Sequence, residues 1–286
     1  IEIIQILEKL GLFAFNLILI TIFMIPAIFF LKINFSKKIS YFLLVPLILF
    51  SFYIYGDHSI NQNQQRVNSV DEKFYIKVIS PNFKLEYGLN SKQIEKRLIN
   101  LIKYSDPDKD IKTLFVWPEG VFSGYSYSEI LGLKKIFSDN FNKNHFILFG
   151  INKADNEKGA LYNSLVIVNK DMEILKEYKK QKLVPFGEFL PFEKLLNKFG
   201  LKKITEGYES FARGKKQENI KIDELNILPL ICYEIIFTKF IQHAHIDTNL
   251  VINISEDGWF GSSIGPHQHF AKAIYRSIEQ NSYLIR

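Results

Sequence analysis

Two stretches that carry no charged side chain set the first limit on what this chain can fold into. Leu10–Leu31 runs for 22 residues and Ile39–Gly56 for 18, both rich in Phe, Leu and Ile. As helices rising about 1.5 Å per residue they reach about 33 and 27 Å, against a hydrocarbon core of about 30 Å. Each is long enough to cross a bilayer. Buried core helices are the bland alternative, as is a signal peptide for the first run. A signal core is shorter, however, and a cleaved one would not be followed by a second span. Pro26 and Pro46 fall inside the runs, where a kink is tolerated if neighbouring helices re-satisfy the freed carbonyls. The link between the runs carries Lys32, Lys37 and Lys38 and no acid, which by the positive-inside rule places it in the cytoplasm. Everything after Gly56 then lies on the opposite face, the periplasm in a cell with two membranes. The expected organisation is a membrane region over 1–56, with spans at about 10–31 and 39–56, and a second domain over 57–286.

Composition narrows the second part. Of 286 residues, 36 are Lys or Arg and 30 Asp or Glu, and the signs alternate, as in Lys-Gln-Ile-Glu-Lys-Arg at 92–97. That pattern is a solvated helix face, so no nucleic-acid partner is expected, whereas a membrane surface is. With 47% hydrophobic residues the chain is no disordered polymer. Its one cysteine, Cys232, excludes an intrachain disulfide framework and a Cys-rich zinc module. The pairs His243-Ala-His245 and His267-Gln-His269 lie in or beside helical patterns, where residues two apart diverge, so no metal site is expected. There is no Gly-x-Ser-x-Gly elbow to support a serine hydrolase.

Ser59–Asp71 is polar and reads as a linker. Beyond it, short β-branched or aromatic runs predict strands near Tyr75–Ser80, Thr113–Trp117, His145–Ile151, Leu161–Asn169, Asn226–Cys232 and Asn249–Ser255. Between the first two, Ile94, Leu98, Leu101 and Ile102 recur at helical spacing behind a candidate cap at Ser91. The alternation is that of an α/β domain. Strands near 165 and 175 follow one another without a helix, so a mixed sheet is expected.

Three of these segments end on reactive side chains. Thr113-Leu-Phe-Val-Trp-Pro leads into Glu119, and a buried strand that ends on a carboxylate delivers it to the crevice where α/β sheets hold ligands. A lone Glu would by default be a surface residue. Tyr178-Lys-Lys180-Gln-Lys182 precedes a Pro-Phe-Gly turn and Glu188; an extended segment would put both lysines on one face, and the bland reading is a basic edge strand. Asn226-Ile-Leu-Pro-Leu-Ile delivers Cys232, followed at once by Tyr233, Glu234 and what looks like a helix start at Ile235–Ile241. A thiol at a helix N-terminus is expected to be stabilised as thiolate, although any single Cys is more often inert packing.

Glu, Lys and Cys in this order resemble the nitrilase superfamily, whose members carry a Glu/Lys/Cys triad on an αββα sandwich. Two preceding spans, Trp-Pro-Glu at 117–119, Leu-Val-Pro-Phe-Gly-Glu at 183–188, Ile-Cys-Tyr-Glu at 231–234 and Asp-Gly-Trp-Phe-Gly at 257–261 narrow the resemblance to the apolipoprotein N-acyltransferase family of bacterial inner membranes. The resemblance implies Cys232 as nucleophile, Glu119 as proton acceptor and Lys180 as the cation that holds the oxyanion. Glu188 and Glu234 match supporting acids, and Tyr233, Trp259 and Phe260 match residues near the acyl entrance; for the last two an ordinary core pair is the alternative. It implies transfer of an acyl chain from a membrane phospholipid, through a thioester, to the α-amine of a diacylated apolipoprotein, by a monomer with no cofactor. The chain departs from the family at Glu256 and Lys182, where members usually carry asparagine and histidine. Its ends also fall short of the family's, with fewer membrane helices and without the last strands and closing helix. A tethered carbon–nitrogen amidohydrolase and a non-catalytic remnant acting as an interaction module stand as alternatives.

Overall fold

The structure, a computed structural model, describes residues 1–68, 74–86, 88–155, 159–192, 210–216, 218–242 and 247–286. It divides into two compact units, Ile1–Asp71 with Ile274–Ser282, and Glu72–Ala273 with Tyr283–Arg286.

The first unit is helical. A 3-10 turn at Glu2–Ile6 leads into α1, Leu7–Met24, which a 3-10 segment continues over Ile25–Phe30. Pro26 therefore sits in the first turn of that segment, where its missing N–H costs nothing, rather than kinking an α-helix from within. Helix α2 is Phe35–Asn68 and passes through Pro46. Glu2–Phe30 and Phe35–Gln65 are both long and apolar enough to cross a membrane. Phe13, Leu17, Phe23, Leu43 and Phe50 are exposed, which a pair of buried core helices would not allow. The linker expected at Ser59–Asp71 is helix as far as Asn68. Gln and Arg are good helix formers, and Asn61 Nδ2 donates to Asp57 Oδ2 at 3.3 Å while Gln62 Nε2 meets His58 Nε2 at 3.0 Å, both at i, i+4. Apolar periodicity ends at the span, but propensity carries the helix on.

The second unit holds two sheets. The first has order β1-β2-β3-β4-β5, with β1 Tyr75–Val78, β2 Thr113–Val116, β3 His145–Ala154, β4 Leu161–Val168 and β5 Ile174–Lys179. Strands β1 to β3 are parallel and β4 and β5 antiparallel, the mixed sheet expected from two strands that follow without a helix. The second has order β6-β7-β8-β9, with β6 Ile220–Ile222, β7 Leu225–Ile231, β8 Leu250–Ile254 and β9 Tyr283–Ile285. Three-residue β6 and β9 are too short to register as a pattern.

Side chains alternate across β2, and that alternation builds the layers. Leu114 and Val116 point to one face, where with Leu148, Leu165 and Ile167 they meet Ile227, Ile231, Leu250, Ile252 and Ile254 of the other sheet. Phe115 and Trp117 point the other way, into a cluster with Ile94, Leu98, Leu101 and Ile102 of α3, Ser91–Ser105, and with Ile130 of α4, Tyr127–Ile130, and Phe137 of α5, Lys134–Asn140. On the far side of the second sheet, Leu228, Leu230 and Val251 pack on Ile235, on Phe240 of α6, Thr238–Gln242, and on Ala273 of α7, Gly265–Gln280. The result is the expected αββα sandwich. The α3 cap is Asn90, one residue before the Ser91 expected, and closes a reciprocal box with Gln93.

Candidate active site

Glu119, Lys180 and Cys232 each follow the last residues of a strand, β2, β5 and β7, and all three line one cavity of about 370 Å³. Two short contacts make the first approach feasible. Gly150 on β3 lies against Glu119, where a Cβ would come within 2.6 Å of the glutamate carbonyl oxygen, so only glycine admits that backbone. Gly214 likewise admits the backbone of Lys179, and its N–H donates to the Lys180 carbonyl at 2.8 Å.

Lys180 is fully buried between two carboxylates. Its Nζ donates to Glu188 Oε1 at 2.7 Å and lies 3.6 Å from Glu119 Oε1. Asn163 on β4 completes the cluster, its Nδ2 donating to both Glu119 Oε1 and Glu188 Oε1 at 2.9 Å. Burial alone would lower the pKa of Lys180, but the charges of Glu119 and Glu188 outweigh it and raise it, which favours the ammonium form. Asn163 was not anticipated, though a polar side chain in the apolar run of β4 is a recognisable signal. Glu188 is held by the turn that precedes it: Phe186 has φ 61°, Phe186 N–H donates to the Phe189 carbonyl at 2.8 Å, and Val184 N–H donates to Glu188 Oε2 at 2.9 Å.

The second lysine goes elsewhere. The extended segment ends at Lys180, so Lys182 turns away from the cavity and lies 5.1 Å from the Phe237 ring centroid.

Cys232 stands at φ 49°, a left-handed conformation rarely adopted by non-glycine residues and concentrated at functional sites. The helix dipole expected to acidify it is absent: Cys232 opens a five-residue 3-10 turn, Cys232–Ile236, too short to sum many peptide dipoles. Burial, followed by the charge of Glu119, pushes the thiol up to about 12, against the pull of Lys180 and a hydrogen bond with Ser255. The balance favours the thiol over the thiolate at Cys232. Its carbonyl accepts from Asn253 Nδ2 and from His269 Nε2, each at 3.1 Å, and Arg286 ties that pair together through Asn253 Oδ1 at 2.8 Å and Asp257 Oδ2 at 2.6 Å. This backing network of Asn253, Asp257, His269 and Arg286 had no sequence signal beyond its residue types. His267 and His269 lie on α7 as expected, while His243 and His245 lie outside the described residues.

Glu234 is fully buried and does not reach the cavity. Its Oε1 accepts from the N–H groups of Gln181 and Lys182 at 2.7 and 2.9 Å, and its Oε2 from Tyr178 Oη and Ile231 N–H at 2.9 and 3.0 Å. It joins the loop that carries Lys180 to the turn that carries Cys232. Glu234→Ala leaves four donors unmatched, two of them fully buried, and is expected to lower stability by roughly 3–5 kcal/mol, read as a shift in the urea midpoint.

Tyr233, Trp259 and Phe260 line the cavity wall. Trp259 is 48% exposed and Phe260 37%, so they are not a core pair. Tyr233 is braced edge-on by Phe237 at 5.1 Å. Glu256, noted in the sequence only as a departure, also lines the cavity.

Residues 102–286 match the Carbon-nitrogen hydrolase family. Apolipoprotein N-acyltransferase of Rhizobium leguminosarum bv. trifolii is 35% identical over 179 residues, 60% of this chain and 33% of that protein. Apolipoprotein N-acyltransferase of Wigglesworthia glossinidia brevipalpis is 33% identical over 264 residues, 89% of this chain and 50% of its own length. The chain thus spans a third to a half of the curated relatives it matches. Among solved structures, an amidase from Nesterenkonia sp. aligns with a TM-score of 0.46 and 15% identity, covering 75% of this chain and 76% of that one. With a family match over well more than half its length and the Glu119, Lys180 and Cys232 strand ends gathered in one cavity, the chain belongs to the carbon–nitrogen hydrolase family.

Proposed function

We propose that this chain performs apolipoprotein N-acyl transfer: a fatty acyl group leaves a membrane phospholipid, rests on Cys232 as a thioester, and passes to the α-amine of a diacylglyceryl-cysteine lipoprotein. The carrying observation is one cavity with aromatic walls and a floor of Cys232, Glu119 and Lys180. An acyl chain fits the walls, and acyl-transfer chemistry fits the floor. The two apolar helices anchor the chain in the bacterial inner membrane, with the catalytic unit on the periplasmic face. The protein acts there as a monomer, with no cofactor.

In the first half-reaction Glu119 takes the Cys232 proton as the sulfur attacks the ester carbonyl. A thiol raised by burial needs that base at the moment of attack. Lys180 stabilises the oxyanion of the tetrahedral intermediate, and Glu119 returns the proton to the departing lysophospholipid. In the second half-reaction the amine attacks the thioester, and the sulfur leaves.

Product analysis tests the reading. The chain in phospholipid vesicles with a diacylated lipopeptide is expected to yield lysophospholipid and triacylated peptide in equal amounts. Free fatty acid in place of the amide would identify a hydrolase, and neither product would identify a non-catalytic module.

Glu119→Gln separates the glutamate's two influences. Acylation is expected to slow by about 10²–10⁴, because the base is gone. The thiol is expected to become more acidic at the same time, because a charge that raises its pKa is gone. Rapid-quench acylation reads the first and a pH titration of thiol alkylation the second.

A further inference from the structure

We propose that Glu256 is the docking carboxylate for the acceptor ammonium and the base for its second proton. This rests on the acyl-transfer reading and adds to it the recognition of the nitrogen nucleophile.

Three carboxylates line the cavity among the described residues, and they are not equivalent. Glu119 and Glu188 lie 3.6 and 2.7 Å from Lys180 Nζ, and both accept from Asn163. Glu256 has no ion-pair partner within 4.0 Å among the described residues. Its Oε1 accepts from Gly258 N–H at 3.0 Å, and no hydrogen bond reaches Oε2 among the described residues. Its position is fixed beside the base, since its backbone N–H donates to Glu119 Oε2 at 3.1 Å. Gly120 makes room for it: a Cβ there would stand 2.5 Å from Glu256 Oε2.

Proton counting supplies the need for such a group. An α-amine has a pKa of about 7.7–8.0 and so reaches the site mostly as ammonium at neutral pH. Taking that cation into an apolar cavity is costly unless a carboxylate meets it. The ammonium has three N–H bonds and the product amide has one, so two protons must leave nitrogen. Glu119 accepts one as the amine attacks the thioester carbonyl, and delivers it to the sulfur as the C–S bond breaks, restoring the Cys232 thiol. The other goes to Glu256 and from there to solvent. Burial raises the proton affinity of this carboxyl, aided by the charges of Glu119 and Asp257 and opposed by the Gly258 N–H and the more distant charge of Arg97, which suits a transient acceptor.

Hydroxylamine isolates this role, because it is uncharged at neutral pH and needs only one proton moved, from nitrogen to sulfur. The full chain is acylated in phospholipid vesicles, then discharged in parallel by a diacylated lipopeptide and by hydroxylamine. Glu256→Gln is expected to lower the ratio of lipopeptide to hydroxylamine discharge by at least about tenfold, and Glu256→Asp to recover much of it. An unchanged ratio overturns the proposal, as does equal slowing with both nucleophiles. A folded Glu256→Gln that takes up no acyl chain also overturns it, by putting the carboxylate in the first half-reaction. Failure of the unaltered chain to acylate Cys232 is a different result, which removes the acyl-transfer reading and this inference with it.

Discussion

Cys232→Ala is expected to bring lysophospholipid release and lipopeptide acylation to background while the protein stays folded. No other thiol exists in the chain to form a thioester. The cost to the fold is small, about 1 kcal/mol, because one sulfur is lost and alanine at φ 49° meets the same backbone penalty that cysteine already bears. The substitution also has a signature in alkali. Burial holds the folded thiol at about 12, above its ordinary value of 9.0. Between those values the unfolded chain releases the proton and the folded chain keeps it. The thiol's contribution to stability is complete below pH 9.0 and is lost as pH rises toward 12. Unfolding curves of the unaltered chain and Cys232→Ala should therefore converge and then cross as pH rises through that window, leaving the variant the more stable of the two at its upper end.

Lys180→Met is expected to damage both chemistry and fold. Methionine fills much of the space but leaves Glu119 and Glu188 facing one another over Asn163 with no cation. Breaking a buried ion cluster by removing one member costs about 3–5 kcal/mol, and here two carboxylates are left uncompensated. Acylation should fall by at least about 10³, since the oxyanion loses its charged partner. The thiol should rise further, because Lys180 is one of the groups that pull it down. Urea unfolding and rapid-quench acylation measure these effects, and acylation retained within tenfold would remove Lys180 from the mechanism.

The parts of this architecture that rest on repeated local patterns could be read from the chain. β2 alternates Leu114 and Val116 against Phe115 and Trp117 because two different layers cover its faces, and α3 shows its buried stripe for the same reason. The strand ends at Glu119 and Cys232 are legible because apolar runs stop there, whereas Lys180 follows the charged strand Ile-Leu-Lys-Glu-Tyr-Lys and is legible only through the family resemblance. What escaped depended on contacts between distant segments or on the length of an element. Helix α2 runs past the expected linker on propensity rather than periodicity, and Lys182 leaves the site because the segment bends after Lys180. The thiol is raised because burial and the charge of Glu119, both invisible in sequence, outweigh Lys180 and Ser255, and the 3-10 turn is too short to supply a helix dipole. Asn163, Glu256 and the His269–Arg286 network acquire meaning only when β4, the turn after β8 and α7 converge on the same few atoms.

Peptide mapping by mass spectrometry, after incubation of the chain with a phospholipid of defined acyl composition, tests the acyl-enzyme directly. The prediction is one fatty acyl group of matching mass on the peptide that contains Cys232, gained as lysophospholipid appears and lost when a diacylated lipopeptide is added. Triacylated lipopeptide formed at full rate with no acyl mass on that peptide, or formed equally by Cys232→Ala, would contradict it.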